Sequence, residues 1–131
     1  MKRTILIICG NRSMNYILKT VVESQYDLIA VTDVFEGMKQ LRQNAEISLV
    51  VVDIDFQQKE CLDLVGYLKS SFLYNKPVFV LSTLKEETLE GLSRIAKPDL
   101  ILSKPFNPTD LLESLDNHFV KEMEAVESRI F

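Results

Sequence analysis

The sequence predicts an α/β domain built on a doubly wound, five-stranded parallel sheet. Five short apolar runs, rich in β-branched residues, alternate with longer segments whose apolar residues recur at helical spacing. Within the runs polar and apolar residues do not alternate, which is typical of strands that are buried on both faces. The predicted strands are residues 5–8, 28–31, 49–52, 78–81 and 100–102.

Each predicted helix follows one strand and carries its own stripe of apolar residues. Asp33 is positioned to cap the second helix, and Asn107 followed by Pro108 to begin the fifth. Thr83, with Glu86 three residues later, has the pattern of a capping box for the fourth. Such strand–helix–strand repeats with short connections form parallel sheets with helices on both faces. The stripes are Ile17, Leu18, Val21 and Val22; Val34, Met38 and Leu41; Leu62, Val65 and Leu68; Leu89 and Leu92; and Leu112, Leu115 and Phe119.

Length and composition indicate one globular domain. The 131 residues are enough to bury a real core, and 47% hydrophobic with 26% charged residues is an ordinary balance. No apolar run approaches the ~20 residues of a membrane span. A net charge of −4 without a basic block argues against direct nucleic-acid binding. Two cysteines and one histidine are too few for a disulfide scaffold or a zinc cluster, so a reducing, cytoplasmic location is expected.

Three polar side chains directly follow predicted strands and suggest a phosphate-handling site. Asp53 follows the third strand, Ser82 the fourth and Lys104 the fifth. Because ligands of such sheets bind beyond the carboxyl ends of the strands, we expect these side chains to share one hollow. A carboxylate, a hydroxyl and an ammonium group can accept and hold a phosphoryl group as nucleophile, hydrogen-bond donor and counter-charge.

With these residues in their order and strand context, the chain resembles a response-regulator receiver domain over residues 4–119. The resemblance implies a flavodoxin-like (βα)5 fold with strand order 2-1-3-4-5. It also implies that Asp53 is the phospho-accepting aspartate, Ser82 the switch hydroxyl and Lys104 the lysine that pairs with the phosphoryl group. The bond between Lys104 and Pro105 is usually cis in the family. The resemblance rests on LVVVDI at 49–54, LDL at 62–64, PVFVLS at 77–82 and SKPF at 103–106.

The chain departs from the family at the metal site. After the first strand, receivers usually have two adjacent acids that hold Mg²⁺ together with the phospho-accepting aspartate. This chain has Cys9, Gly10 and Asn11 there. Mg²⁺ requires hard oxygen ligands, so we expect it to bind weakly or not at all, with Asp53, Asp55 and Asn11 as the remaining candidate ligands. Asp55 is either a replacement acid that swings into the pocket or a solvated loop acid.

Further departures from the family concern its aromatic switch residue and two positions after the third strand. Ile101 stands where the family normally has a Tyr or Phe whose ring moves between two positions, and isoleucine has no such ring. Gln57 replaces a usual proline and Cys61 a common glycine. Together these losses predict a pseudo-receiver, which keeps the fold and the interaction surface but binds phosphate weakly or not at all.

The predicted function is two-component (phosphorelay) signalling through protein–protein contact, without enzymatic turnover. The resemblance implies a histidine kinase or phosphotransfer protein and a downstream protein as partners. The fourth helix, fifth strand and fifth helix form the face that would serve a homodimer. The receiver is expected to span residues 1–119. Residues 120–131 would extend the last helix, with Met123, Val126 and Ile130 at helical spacing, or form a flexible tail.

A second hypothesis uses the loop after the first strand, from Cys9 to Ser13. This loop is similar to the phosphocysteine loop of sugar phosphotransferase IIB proteins and to the phosphate loop of flavodoxins, and the N-terminus of a helix binds anions readily. The chain would then be a phosphocysteine carrier or a phosphate- or flavin-binding domain. Against this hypothesis, Arg12 and Met14 are bulky where the backbone would have to approach a phosphate closely.

Overall fold

A computed structural model describes residues 2–130, except for the side chains of residues 86, 89, 92, 93, 95, 129 and 130. Strands and helices alternate five times along the chain, as predicted. The side chains of Glu86, Leu89, Leu92 and Ile130, for which the sequence suggested roles, lie outside the described residues. The elements are β1 Thr4–Ile8, α1 Arg12–Val22, β2 Asp27–Val31, α2 Val34–Gln43, β3 Ile47–Asp53, α3 Gln58–Ser70, β4 Val78–Ser82, α4 Glu86–Ala96, β5 Leu100–Ser103 and α5 Pro108–Ile130.

The five strands form one parallel sheet in the order β2-β1-β3-β4-β5. This order confirms the predicted 2-1-3-4-5 topology. The chain direction across the sheet reverses between β1 and β3, so the connections that leave these two strands diverge to opposite faces. A crevice therefore opens beyond their carboxyl ends, where ligands of doubly wound sheets bind.

Burial differs between central and edge strands. Every residue of β1 and β4 is buried, and so is β3 apart from one intermediate position. The edge strands β2 and β5 are partly exposed, with no fully buried residue in either. The prediction of burial on both faces is therefore right for the three central strands and wrong for the two edge strands, which have a neighbouring strand on one side only.

The two faces of the sheet form separate apolar layers, because successive side chains of a strand point to opposite faces. Ile5 and Ile7 of β1 pack in the layer that contains Leu18 of α1 and Leu111 of α5. Leu6 and Ile8 pack in the other, with residues of α2, α3 and α4 such as Leu41, Val65 and Ala96. Two helices thus cover one face and three cover the other.

Side-chain caps begin two of the helices as predicted. Asp33 accepts a hydrogen bond from the Glu36 N–H of α2 at 2.8 Å. Asn107 accepts one from the Thr109 N–H at 3.1 Å, next to the start of α5. The predicted role of Thr83 as a cap is wrong: α4 begins three residues later, at Glu86, and the Thr83 N–H is directed to Asp55.

The last helix, α5, continues without a break to Ile130, and residues 121–128 are all exposed. The division of the chain into a receiver ending at residue 119 and a separate extension stays a prediction. Within the part of the chain that the structure describes, no helix combines the length and the apolar character that crossing a membrane would need.

Candidate functional site

The candidate site lies at the carboxyl ends of β3, β4 and β5. Asp53 is the last residue of β3, Ser82 the last of β4, and Lys104 directly follows β5. The register aligns these ends, since Asp53 pairs with Leu81 and Ser82 with Ser103. The N–H of Lys104 also donates to the carbonyl oxygen of Ser82 at 2.8 Å. The three strand ends thus bring the predicted residues to one edge of the sheet.

Asp53 and Lys104 form a buried ion pair, with Lys104 Nζ 2.5 Å from Asp53 Oδ2. Asp53 is only 3% exposed, and a carboxylate at that depth is strongly destabilising unless it has a partner. Burial lowers the pKa of Lys104, but hydrogen bonds and charge from Asp53 and Asp55 outweigh it, so the pKa lies above its ordinary value. The peptide bond between Lys104 and Pro105 is cis, as the resemblance implies.

Asp55 turns its carboxylate into the same pocket. Its Oδ2 lies 3.0 Å from Lys104 Nζ, its Oδ1 accepts from Ser82 Oγ at 3.1 Å, and the Thr83 N–H lies 3.0 Å from both oxygens. Burial raises the pKa of Asp55, whereas the bonds from Thr83, Lys104 and Ser82 lower it, and the net pKa is below the ordinary value. The carboxylate of Asp55 is thus bonded into the pocket, although the residue as a whole is exposed.

Ser82 is fully buried, and its hydroxyl both donates and accepts a hydrogen bond. It donates to Asp55 and accepts from the Leu84 N–H at 2.9 Å. Ser82 and Lys104 therefore both donate to the carboxylate of Asp55. The sequence offered entry of Asp55 into the pocket as one of two alternatives, but did not indicate that Ser82 and Lys104 would bond to it.

Cys9 follows β1 and faces the same carboxylate as Lys104. Its thiol donates to Asp53 Oδ2 at 3.4 Å and is fully buried. Burial raises the pKa of Cys9 to about 11, and the charge of Asp53 acts in the same direction. Burial likewise raises the pKa of Cys61 to about 12. Both groups are thus neutral thiols at pH 7.

Similarity to known proteins is found at the level of the whole fold. No protein-family model matches the sequence, and no curated protein sequence matches it significantly. Solved structures do match. A response regulator from Thermotoga maritima is 25% identical, with a TM-score of 0.77 over 89% of this chain and 97% of that one. A response regulator receiver modulated diguanylate cyclase from Pelobacter carbinolicus is 28% identical, with a TM-score of 0.75 over 97% and 99%.

A CheY-like receiver domain protein from Methanospirillum hungatei JF-1 shares the fold at 19% identity, with a TM-score of 0.82 over 95% of this chain and 99% of that one. By its fold the chain is a receiver domain, similar over nearly its whole length to response-regulator receivers. Receiver domains function in two-component signalling and are generally not enzymes. They interact with histidine kinases or phosphotransfer proteins and with downstream effectors.

In this receiver, the ring of Phe56 occupies the space beside Gly10. A Cβ atom built on Gly10 would lie 2.2 Å from Cγ of Phe56, a separation that real Cβ atoms essentially never show. Any larger side chain at position 10, including an acid, therefore requires the ring to move. Sequence reasoning missed Phe56, because no sequence signal links it to a glycine 46 positions earlier.

The side chain of Asn11 is hydrogen-bonded to the backbone at the start of α1. Its Oδ1 accepts from the Met14 N–H at 3.0 Å and so caps α1. This is the ordinary role of asparagine before a helix. The side-chain oxygen that the sequence offered as a metal ligand is directed to the helix.

As arranged, the donors of this receiver do not fit Mg²⁺. Among the described residues, no three His, Cys, Asp or Glu side chains are grouped so that they could hold a metal ion. Asp53 Oδ1 accepts from the Asp55 N–H at 3.0 Å, and Asp53 Oδ2 faces an ammonium group and a thiol. Thiols are soft ligands, whereas Mg²⁺ requires hard oxygens in near-octahedral geometry.

Ile101, which the resemblance aligns with the switch residue of the family, packs against the core. Ile101 lies in β5, where it pairs with Val80 and packs, partly buried, against the layer formed by α2, α3 and α4. Gln57, at the start of α3, has a left-handed backbone with φ of 51° and makes no side-chain cap. Neither residue contributes a polar group to the pocket in the described contacts.

Proposed function

We propose that this receiver signals through contacts with other proteins and that phosphorylation of its aspartate is severely weakened. In this proposal Asp53 is the phospho-acceptor position, Ser82 the switch hydroxyl and Lys104 the pairing lysine. The domain performs no turnover of its own. It is thus a pseudo-receiver, which keeps the receiver fold as an interaction surface.

The observation that carries the proposal is the neutral thiol of Cys9 beside Asp53. Phosphoryl transfer depends mainly on positioning and on neutralisation of charge, which Mg²⁺ normally supplies. Here the group nearest to Asp53 Oδ2, apart from Lys104, is a buried thiol with a raised pKa, and the Phe56 ring fills the space at Gly10. Lys104 is then the one cation in contact with two carboxylates among the described groups.

Mg²⁺ is accordingly proposed to bind weakly at best. The candidate oxygens of Asp53 and Asp55 already accept hydrogen bonds from the protein, so a metal ion must displace these donors as well as its own water. Ile101 removes the two-position ring, which further weakens any coupling between the pocket and the surface.

The proposed partners are a downstream protein target and, where phosphotransfer survives, a histidine kinase or phosphotransfer protein. The face formed by α4, β5 and α5 is the proposed surface for these contacts and for a homodimer. Nucleic acid is not a proposed partner, since the net charge is −4. Cys9 and Cys61 are free thiols, which suits the reducing cytoplasm as the proposed location.

The test is incubation of the full chain with acetyl phosphate, with and without Mg²⁺, followed by intact mass measurement. We expect no Mg²⁺-dependent gain of a phosphoryl group. The Asp53→Asn variant controls for modification elsewhere. Mg²⁺-dependent phosphorylation that disappears in Asp53→Asn would contradict the weakened chemistry, while the family assignment would stand.

The phosphocysteine hypothesis is not supported as an alternative. Cys9 would have to reach a phosphoryl donor as a thiolate, but its side chain is fully buried and its pKa is raised to about 11. A nucleophilic cysteine needs the opposite environment, with partial exposure and a lowered pKa.

A further inference from the structure

The carboxylate of Asp55 is held by three donors that come from distant parts of the chain. Ser82 Oγ, the Thr83 N–H and Lys104 Nζ all donate to it, across 27 to 49 residues of sequence. Ser82 is fully buried and the Lys104 side chain is 15% exposed. A loop acid that needed only solvation would have no reason to collect these donors.

The three donors together form an oxyanion cradle. A hydroxyl, a backbone amide and an ammonium group that converge on one point bind carboxylate or phosphate oxygens more strongly than neutral acceptors, even though Asp55 and Thr83 are partly open to solvent here. Lys104 also contacts Asp53 Oδ2, so the cradle lies directly beside the phospho-acceptor position. An oxyanion attached to Asp53, or bound next to it, would need the same donors that Asp55 now uses.

We propose that Asp55 is a built-in anionic ligand of this cradle, which must leave before an external phosphate or a phosphoryl group on Asp53 can bind there. The proposal rests on the proposed function and deepens it, because it adds direct competition to the loss of metal ligands. It also means that the connection after β4 is held against the pocket by Asp55 without phosphorylation. The Thr83 N–H bonds to Asp55, and the Leu84 N–H to the hydroxyl of Ser82.

The test compares the wild type with Asp55→Ala in binding of inorganic phosphate, followed by amide NMR shifts. We expect the variant to bind phosphate about tenfold more tightly, equivalent to about 1.4 kcal/mol. The largest shifts should occur at Thr83 and Leu84. Asp63→Ala is the matched control, because Asp63 is an exposed acid on α3 and its removal changes the net charge equally. It should bind phosphate like the wild type.

A second measurement does not depend on an added ligand. The Thr83 amide should exchange with solvent slowly in the wild type and about tenfold faster in Asp55→Ala, since local opening then costs less. Asp55→Asn, which keeps the shape of the side chain but removes its charge, gives the phosphate-binding comparison if Asp55→Ala does not fold. Equal phosphate affinity in wild type and Asp55→Ala, or unchanged Thr83 exchange, overturns this inference. Neither result bears on Mg²⁺-dependent phosphorylation of the wild type, by which the proposed function itself stands or falls.

Discussion

At the residue scale, Cys9 and Gly10 shape the pocket beside Asp53. The thiol of Cys9 donates to Asp53 Oδ2 and so satisfies a buried carboxylate oxygen without adding charge. A carboxylate at that position would add a third negative charge to those of Asp53 and Asp55, which already share Lys104, and would need a bound cation to offset it. Gly10 leaves room for the ring of Phe56. The two replacements are thus mutually consistent with a pocket that is stable without metal.

Restoring acids at positions 9 and 10 should restore Mg²⁺ binding only when space is made for them. We expect the Cys9→Asp, Gly10→Asp, Phe56→Ala triple variant to melt a few degrees higher in millimolar Mg²⁺, because a ligand that binds only the folded state stabilises it. The double variant that keeps Phe56 should be destabilised and gain little from Mg²⁺, since the ring blocks position 10. Thermal unfolding with and without Mg²⁺ measures both.

The wild type is the control and should melt at the same temperature in either buffer. Equal Mg²⁺ stabilisation of the double and triple variants would show that Phe56 does not block the site. Mg²⁺ stabilisation of the wild type would contradict the proposed weak metal site.

At the scale of elements, Gly37 sets how closely α2 packs on β1. A Cβ atom at Gly37 would lie 2.3 Å from Cδ1 of Ile8, and Ile8 is only 1% exposed. The end of the isoleucine side chain is flexible in principle, but in a close-packed layer it has little room to move. The absence of a side chain at Gly37 therefore allows the contact between this helix and this strand.

Two glycine-to-alanine substitutions should change the free energy of unfolding in opposite directions. Gly37→Ala is expected to destabilise the domain by about 1–3 kcal/mol through overpacking against Ile8. Gly66→Ala, in α3, should stabilise it by about 0.5–1 kcal/mol, because alanine is the better helix former and no described atom lies within 4 Å of the new methyl group. Urea unfolding measures both free energies. Destabilisation by Gly66→Ala, or none by Gly37→Ala, would contradict the packing argument.

The elements were predictable because their signals are local. The apolar runs indicated every strand to within two residues at either end, and Asp33 indicated the start of α2. The exposure of β2 and β5 was not predictable from the runs alone, because in this chain the runs at 28–31 and 100–102 are as apolar as those of the central strands. The position of Thr83 was missed because its backbone amide, not its side chain, takes part.

At the scale of the whole molecule, ion pairs and hydrogen bonds in the pocket connect the ends of three strands. Asp53 and Asp55 follow β3, Ser82 ends β4, and Lys104 follows β5. The sequence predicted that Asp53, Ser82 and Lys104 would converge, since their strands are parallel. It left the place of Asp55 open between the pocket and the solvent, because the outcome depends on three donors that are assembled only when the sheet has formed.

The network of Asp53, Asp55 and Lys104 should make the free energy of unfolding depend on pH. Asp55→Asn should remove the part of this dependence that comes from Asp55. The pKa of folded Asp55 is below 3.8, its ordinary value, so its contribution is complete above pH 3.8 and is lost as the pH falls through the folded pKa. We expect the unfolding free energy of the wild type to exceed that of Asp55→Asn by about 1–2 kcal/mol at pH 7, near the low end of the roughly 1.5–3 kcal/mol for a hydrogen bond to a charged group, because Asp55 is partly exposed. The difference should shrink steadily below pH 4.

Lys104 supplies the internal control for this measurement. Its pKa is raised above 10.5, so its contribution is complete below that pH and is lost as the pH rises through the folded pKa. Asp53 still pairs with Lys104 in Asp55→Asn, so both proteins should lose stability on the alkaline side. Urea unfolding between pH 2 and 11 measures the loss of stability on both the acidic and the alkaline side. A constant difference between the two proteins down to pH 2 would mean that Asp55 carries no stabilising charge in the folded domain, and the network would then depend on Asp53 and Lys104 alone.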